Sequence, residues 1–235
     1  MSLTIASLNS GSNGNCYYIG NEHDAVLVDA GISCREMAKR MNRLGLPMQN
    51  VRAVFISHEH TDHTRGAEVL SRRFRLPVYI SVATHQHSYL YVNPSHLKYF
   101  VSGDRITVGS LVIEPFAKRH DASDPHSFVI SENGVSVGVM TDIGSVCENL
   151  RHHFGRCTAA FLEANYDEKM LMEGHYPFYL KKRISSDVGH LSNHQALELF
   201  RNHRPAFMTH LLLSHLSQEN NNPEIALDLF RPHAG

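Results

Sequence analysis

Apolar residues along the chain fall into short runs broken by polar, glycine-bearing segments, the rhythm of strands alternating with helices. In the first half the runs predict strands over Leu3 to Leu8, Tyr17 to Ile19, Ala25 to Val28, Val51 to Ile56 and Val78 to Ile80. In the second half they predict strands over Leu111 to Phe116, Phe128 to Ser131, Val135 to Met140, Ala159 to Leu162 and Ala206 to Leu212. Ser33 with Glu36 forms a capping box that opens a helix from Cys34 to Leu44, and Gly45 with Pro47 stops it. Ser192 with Gln195 opens a second helix through Phe200, and Asn222 followed by Pro223 supplies an N-cap and a proline at the first helical position of a third. No low-complexity tract or short-period repeat interrupts the plan. The expectation is an α/β protein whose single domain, residues 1–235, is built from two halves alike in layout.

The richest segment follows the strand Val51 to Ile56 and reads HEHTDH over residues 58–63. In an extended segment alternate side chains share a face, so His58 and His60 can grip one metal ion while Glu59 points away. Asp62 and His63 come where the strand ends and TDHTRGAEVL begins a helical pattern, so a turn can swing both toward a second ion. Imidazole and carboxylate suit zinc, manganese or iron, and a catalytic site keeps one position for water.

Composition narrows the setting. A chain of 235 residues with 42% hydrophobic content can bury a large core. Its start, MSLTIASLNSGSNGNCYYIG, lacks a basic region followed by a long apolar run, and no apolar run reaches membrane-spanning length, so the expectation is a soluble, cytoplasmic protein. Cys16, Cys34, Cys147 and Cys157 show no CxxC pairing and are expected as reduced thiols. A net charge of −1 means that attraction to a nucleic acid would have to come from a local patch and the metals. The candidate patches are Arg72, Arg73 and Arg75, and Lys181, Lys182 and Arg183, the second leading toward His190. Asn9 to Asn15 has the composition of a tight loop, either a plain β-turn or a cradle of backbone amides for phosphate.

His58, His60, Asp62 and His63 match the HxHxDH signature of the metallo-β-lactamase fold superfamily, and Asp29, closing an earlier apolar strand, resembles its first motif. The resemblance implies a four-layer αββα sandwich holding two divalent metal ions, zinc, manganese or iron. It implies that His120 completes the first metal site, that Asp142 bridges both ions, and that His215 completes the second. Asp29 is then expected beneath the site, orienting ligand imidazoles without being a ligand. The segment RISSDVGHLSN resembles the one that ribonuclease Z-type enzymes carry before their last ligand, which implies that His190 meets the scissile phosphate and that Glu163 partners it. SLNSGSNGNCYYI, HDASDPHSF, LEANYD and LSHLSQENNNPE are similar to segments of the YycJ/WalJ-type branch, metal-dependent exonucleases on double-stranded DNA, with a departure at His126, where a small or apolar residue is usual.

The resemblance therefore implies a dinuclear hydrolase, a nuclease of 5′-to-3′ exonuclease type on double-stranded DNA, with Asp62, His190 and Glu163 at the chemistry. A water shared by the ions is deprotonated near neutral pH and attacks phosphorus in line. Two rival readings stay open. One is hydrolysis of a thioester, lactone or β-lactam at the same centre, although His63 and Asp142, with no cysteine ligand, weigh against familiar zinc β-lactamases. The other is a non-catalytic metal-binding sensor, disfavoured by a ligand set that leaves a position open. The histidines outside this set, His126 and His153 among them, are expected to be surface or partly packed residues.

Overall fold

The computed structural model describes residues 3–234, in an α/β arrangement of two mixed β-sheets with helices between their strands. The described residues form two compact units, one running to Ala117 and including Ala122–Val135, the other made of Lys118–Asp121 and the chain from Ser136 onward.

In the first unit the strands β1 (Thr4–Asn9), β2 (Cys16–Gly20), β3 (Ala25–Val28), β4 (Val51–Phe55), β5 (Val78–Ile80) and β6 (Leu97–Tyr99) lie side by side in that order. The first three pair antiparallel, and β3 to β6 run parallel. Parallel strands need helical crossovers, and these are α1 (Cys34–Arg43), α2 (Thr61–Thr64) with α3 (Ala67–Phe74), and α4 (Val82–His87). β3 is buried along its whole length, as a strand covered on both faces must be, which is why AVLV carries no polar alternation. Tyr18, Leu27, Val54, Ile56, Met37, Met41 and Leu70 fill its core, each fully buried large side chain contributing roughly 1.5–3 kcal/mol. A meander of β7 (Ile106–Val108), β8 (Leu111–Ala117) and β9 (His126–Glu132) pairs antiparallel in the same unit.

The second unit carries the parallel strands β10 (Val135–Met140, from its second residue on), β11 (Ala159–Glu163) and β12 (His210–Ser214) with α5 (Glu148–Phe154), α6 (Glu168–Glu173), α7 (Phe178–Ile184), α8 (Asn193–His203) and α9 (Pro223–Phe230). Val137, Val139, Phe161, Leu150, Phe154, Leu171, Leu199 and Phe200 are buried there. No helix among the described residues is long and apolar enough to cross a membrane.

The capping expectations divide. Ser192 and Gln195 make both bonds of a capping box, and Asn222 caps α9 through the Glu224 amide at 2.8 Å. Ser33 accepts from the Glu36 amide, but the Glu36 carboxylate turns to Arg40 at 2.9 Å, so only half of that box forms. An arginine four residues on offers a charged partner on the same helix face and outcompetes the cap. β12 begins at His210 rather than Ala206, because the Met208 amide donates to the Pro205 carbonyl and closes a turn first.

Candidate metal centre

In the first unit β4 ends at Phe55 and the next residues carry the ligand-type side chains. The Ser57 amide and hydroxyl donate to Asp29, at 2.8 and 2.9 Å, which ties the exit of β4 to the exit of β3. His58 and His63 are fully buried. The His63 Nδ1–H donates to Asp29 Oδ2 at 2.8 Å, and the His58 Nδ1–H to Ser57 Oγ at 2.9 Å, so each ring presents Nε2 as its lone-pair nitrogen. Such tethering fixes both tautomer and ring orientation in metal sites. His58 Nε2 and His60 Nδ1 lie 3.0 Å apart, close to the roughly 3.3 Å between two nitrogens bound tetrahedrally at about 2.05 Å from zinc. Glu59 turns away and accepts from the Ser123 amide and hydroxyl, at 2.7 and 2.8 Å. Asp62 and His63 ride on the single turn α2, with His63 Nε2 3.5 Å from Asp62 Oδ2.

Asn15, which sequence reasoning passed over, also belongs to this cluster. It is fully buried; its Nδ2 lies 3.0 Å from His63 Nε2 and 3.4 Å from Asp62 Oδ2, and its own amide donates to the Asp62 carbonyl at 2.7 Å. The amides of Gly11 and Gly14 are spent inside the same loop, on Asn15 Oδ1 and the Gly11 carbonyl. Asn9 to Asn15 therefore braces the HEHTDH segment and offers no phosphate cradle from those amides. Gly31 closes the contact, since a Cβ there would stand 1.6 Å from the Asp62 carbonyl oxygen.

The second unit gathers the later candidates. The His120 Nδ1–H donates to the Gly189 carbonyl at 3.0 Å, leaving Nε2 4.0 Å from Asp142 Oδ1. His215 Nε2 lies 3.3 Å from the same carboxylate oxygen, again a separation that two ligands of one ion adopt. Glu163 is fully buried at the end of β11 and accepts four bonds. Its Oε1 receives the Nδ1–H groups of His190 at 2.8 Å and His215 at 2.9 Å, and its Oε2 the amides of Ile143 at 2.6 Å and Leu191 at 3.2 Å. The structure thus brings Glu163 together with His190 and with His215 as well.

Electrostatics follow from this packing. Burial pushes the Glu163 carboxyl up, but the His190 charge and the bonds from His190 and His215 outweigh it and hold the pKa at about 2. Burial likewise works against a charged His190, yet Glu163 beside it, with Asp142 and Asp121, raises its pKa above the ordinary value. Burial lowers His120 to about 4, keeping the imidazole neutral and ready as a ligand.

Three candidate residues share a backbone feature. Asp29, Asp142 and His215 have φ of 61°, 55° and 57°, the left-handed region that side chains other than glycine seldom occupy, and each follows the end of a strand. Such conformations persist where the surroundings impose them and cluster at functional sites. The basic run is largely engaged: Lys181 donates to the Met172 carbonyl at 2.7 Å, and Arg183 Nε to Asp121 Oδ2 at 2.6 Å, while Lys182 is exposed. His126 is buried at the start of β9, its ring edge-on to Phe100 and its amide bonded to the Ser57 carbonyl at 3.0 Å, so it serves packing. The four cysteines are free thiols.

Imidazoles with tethered Nδ1 atoms, interleaved with buried carboxylates at strand exits, define a metallohydrolase of the metallo-β-lactamase fold. The Beta-lactamase superfamily domain model matches residues 24–215, and the chain belongs to that family. It is 35% identical over 229 residues to the exodeoxyribonuclease YycJ of Bacillus anthracis, covering 96% of this chain and 87% of that protein. Its identity to the exodeoxyribonuclease WalJ of Streptococcus pneumoniae is 34%, over 93% of this chain and 83% of that one. Among solved structures the metallo-β-lactamase fold protein YhfI of Bacillus subtilis superposes with a TM-score of 0.73, at 17% identity over 99% of this chain and 93% of its own. That likeness shows the fold alone.

Proposed function

We propose that the two units work as one domain, and that this chain is a dinuclear metal-dependent nuclease degrading double-stranded DNA from the 5′ end. His58, His60 and His120 would hold one divalent ion, Asp62, His63 and His215 a second, with Asp142 available to both. Zinc, manganese and iron all suit this nitrogen and oxygen donor set. Relatives named exodeoxyribonucleases, at about one-third identity over nearly the whole chain, support the substrate class. Four free cysteines fit action in the reducing cytoplasm.

The observation that carries the reading is the pair of buried Glu163 and His190, whose Nδ1–H donates at 2.8 Å while the imidazole keeps one-fifth of its surface exposed. Bound divalent ions supply water of lowered pKa and positive charge beside the phosphoryl oxygens. The chain's own residues do the rest. Glu163 favours the protonated form of His190 and fixes its ring. His190 Nε2–H then donates to a phosphoryl oxygen as charge builds there, and passes its proton to the leaving oxygen as the P–O bond breaks. Asp29 and Ser57 hold the rings of His63 and His58 still, so that ligands need no reorganisation.

The test is to offer metal-reconstituted protein 5′-labelled duplex DNA, single-stranded RNA, a thioester and a chromogenic β-lactam in parallel. Duplex DNA should be cut, and His190→Ala should lose turnover while retaining its metal. Cleavage of only the thioester or the β-lactam would overturn the assignment.

A further inference from the structure

The α6–α7 segment leaves large apolar side chains in water. Phe178 is 77% exposed, its neighbour Tyr179 74%, and Met172 63%. Isolated exposed apolar residues are ordinary, but adjacent ones make a patch that calls for an occupant. On α7, Lys182 follows Phe178 by four residues and Tyr179 by three, so the ammonium shares a helix face with both rings. Lys182 is itself exposed.

The patch is fastened to the chemistry. The Arg183 bond to Asp121 holds α7 to the residue beside His120, and the Asp121 amide donates to the Val188 carbonyl at 2.9 Å. The His190 amide donates to the Ile184 carbonyl, the last residue of α7, at 2.8 Å. Gly189 permits that turn, because a Cβ there would stand 2.2 Å from the carbonyl oxygens of both Arg183 and Ile184. Lys181, bonded to the Met172 carbonyl, ties α7 back to α6. Two of the three cations in the basic run therefore brace the helix, and the third stands beside the aromatic pair.

Exposed aromatic rings next to a cation, on a helix whose last carbonyl accepts from the amide of a phosphate-directed histidine, are the means by which proteins take single-stranded nucleic acid, with bases stacked on rings and phosphates met by charge. We propose that the exposed face of α7 receives the frayed end of the nucleic-acid substrate, with unpaired bases stacking on Phe178 and Tyr179 and Lys182 meeting a backbone phosphate. This rests on the nuclease reading and assigns the contact that separates a duplex end before the scissile phosphate is reached. With a net charge of −1 the whole surface offers no general attraction, so local contacts of this kind, together with the ions, have to supply it.

The test is binding to metal-depleted protein, followed by anisotropy of a 5′-labelled DNA duplex that carries 2-aminopurine at its terminal position. Phe178→Ala with Tyr179→Ala should weaken binding about tenfold or more, in keeping with base–aromatic stacking, and abolish the quenching of 2-aminopurine. Phe178→Tyr with Tyr179→Phe should retain both signals, whereas leucine at both positions should lose the quenching. Lys182→Ala should reduce the slope of log affinity against log salt by about one. The proposal is overturned if the double alanine variant binds and quenches like wild type, or if sedimentation shows a wild-type dimer that this variant disperses. Cleavage by the metal-loaded protein separates the two readings. Wild type that binds and quenches but does not cut sinks the nuclease reading and leaves the α7 contact standing; cutting with unaltered binding by the variants does the reverse.

Discussion

Replacing Glu163 by glutamine changes almost no volume yet should cost the fold heavily. The carboxylate is fully buried; one oxygen accepts from two imidazoles and the other from two backbone amides. A glutamine side chain has one carbonyl oxygen, which can serve the two backbone amides while its NH₂ group donates to the two imidazoles once these switch tautomer. Even in that orientation four bonds to a charged acceptor become neutral ones, at a loss of about 1 kcal/mol each. A loss of about 3 kcal/mol is therefore the lower expectation, equivalent to a fall in Tm of about 6–12 °C for a chain of this size. Glu163→Ala leaves all four donors without an acceptor and should fall further. The assay is thermal unfolding by circular dichroism on chelator-treated protein, so that metal binding adds nothing to the native state. A Glu163→Gln variant melting within about 2 °C of wild type would refute the four-bond account.

Other substitutions separate roles. Asp29→Asn keeps a residue that tolerates the left-handed backbone but removes the charge that His63 and Ser57 address, and should weaken metal affinity about 10- to 100-fold in chelator competition. Gly31→Ala should not yield folded protein by circular dichroism, because its Cβ falls 1.6 Å from the Asp62 carbonyl oxygen. The bond from Arg52, more than the other charges near it, holds the Asp24 carboxyl below its usual pKa, so its contribution is full above the unfolded value and disappears as pH falls through the lowered one. The Tm difference between wild type and Asp24→Asn should accordingly be present at neutral pH and vanish in strong acid.

The legible part of the molecule was whatever a short stretch of chain decides. HEHTDH announced itself because its spacing is local, and the capping residues of α8 and α9 sit within three residues of the amides they serve. What depends on distant partners was hidden. Asn15 meets His63 from 48 residues away, and Glu163 reaches His215 across 52, neither spacing leaving any periodic trace. Strands β6 and β7 have three residues each, too few to show alternation. The left-handed backbones of Asp29, Asp142 and His215 have no composition signal either, since glycine is the residue such a φ advertises.

If Asp142 and His215 hold ions as proposed, those backbones set stability against activity. Non-glycine residues in that region each carry on the order of 1 kcal/mol of conformational cost, which glycine would relieve. Asp142→Gly or His215→Gly thus stands to melt no lower, and on this ground higher, than alanine at the same position, while abolishing the reaction. A search for hardier versions of this protein guided by thermal resistance alone would drift toward inert ones, and the drift would begin at the strand exits.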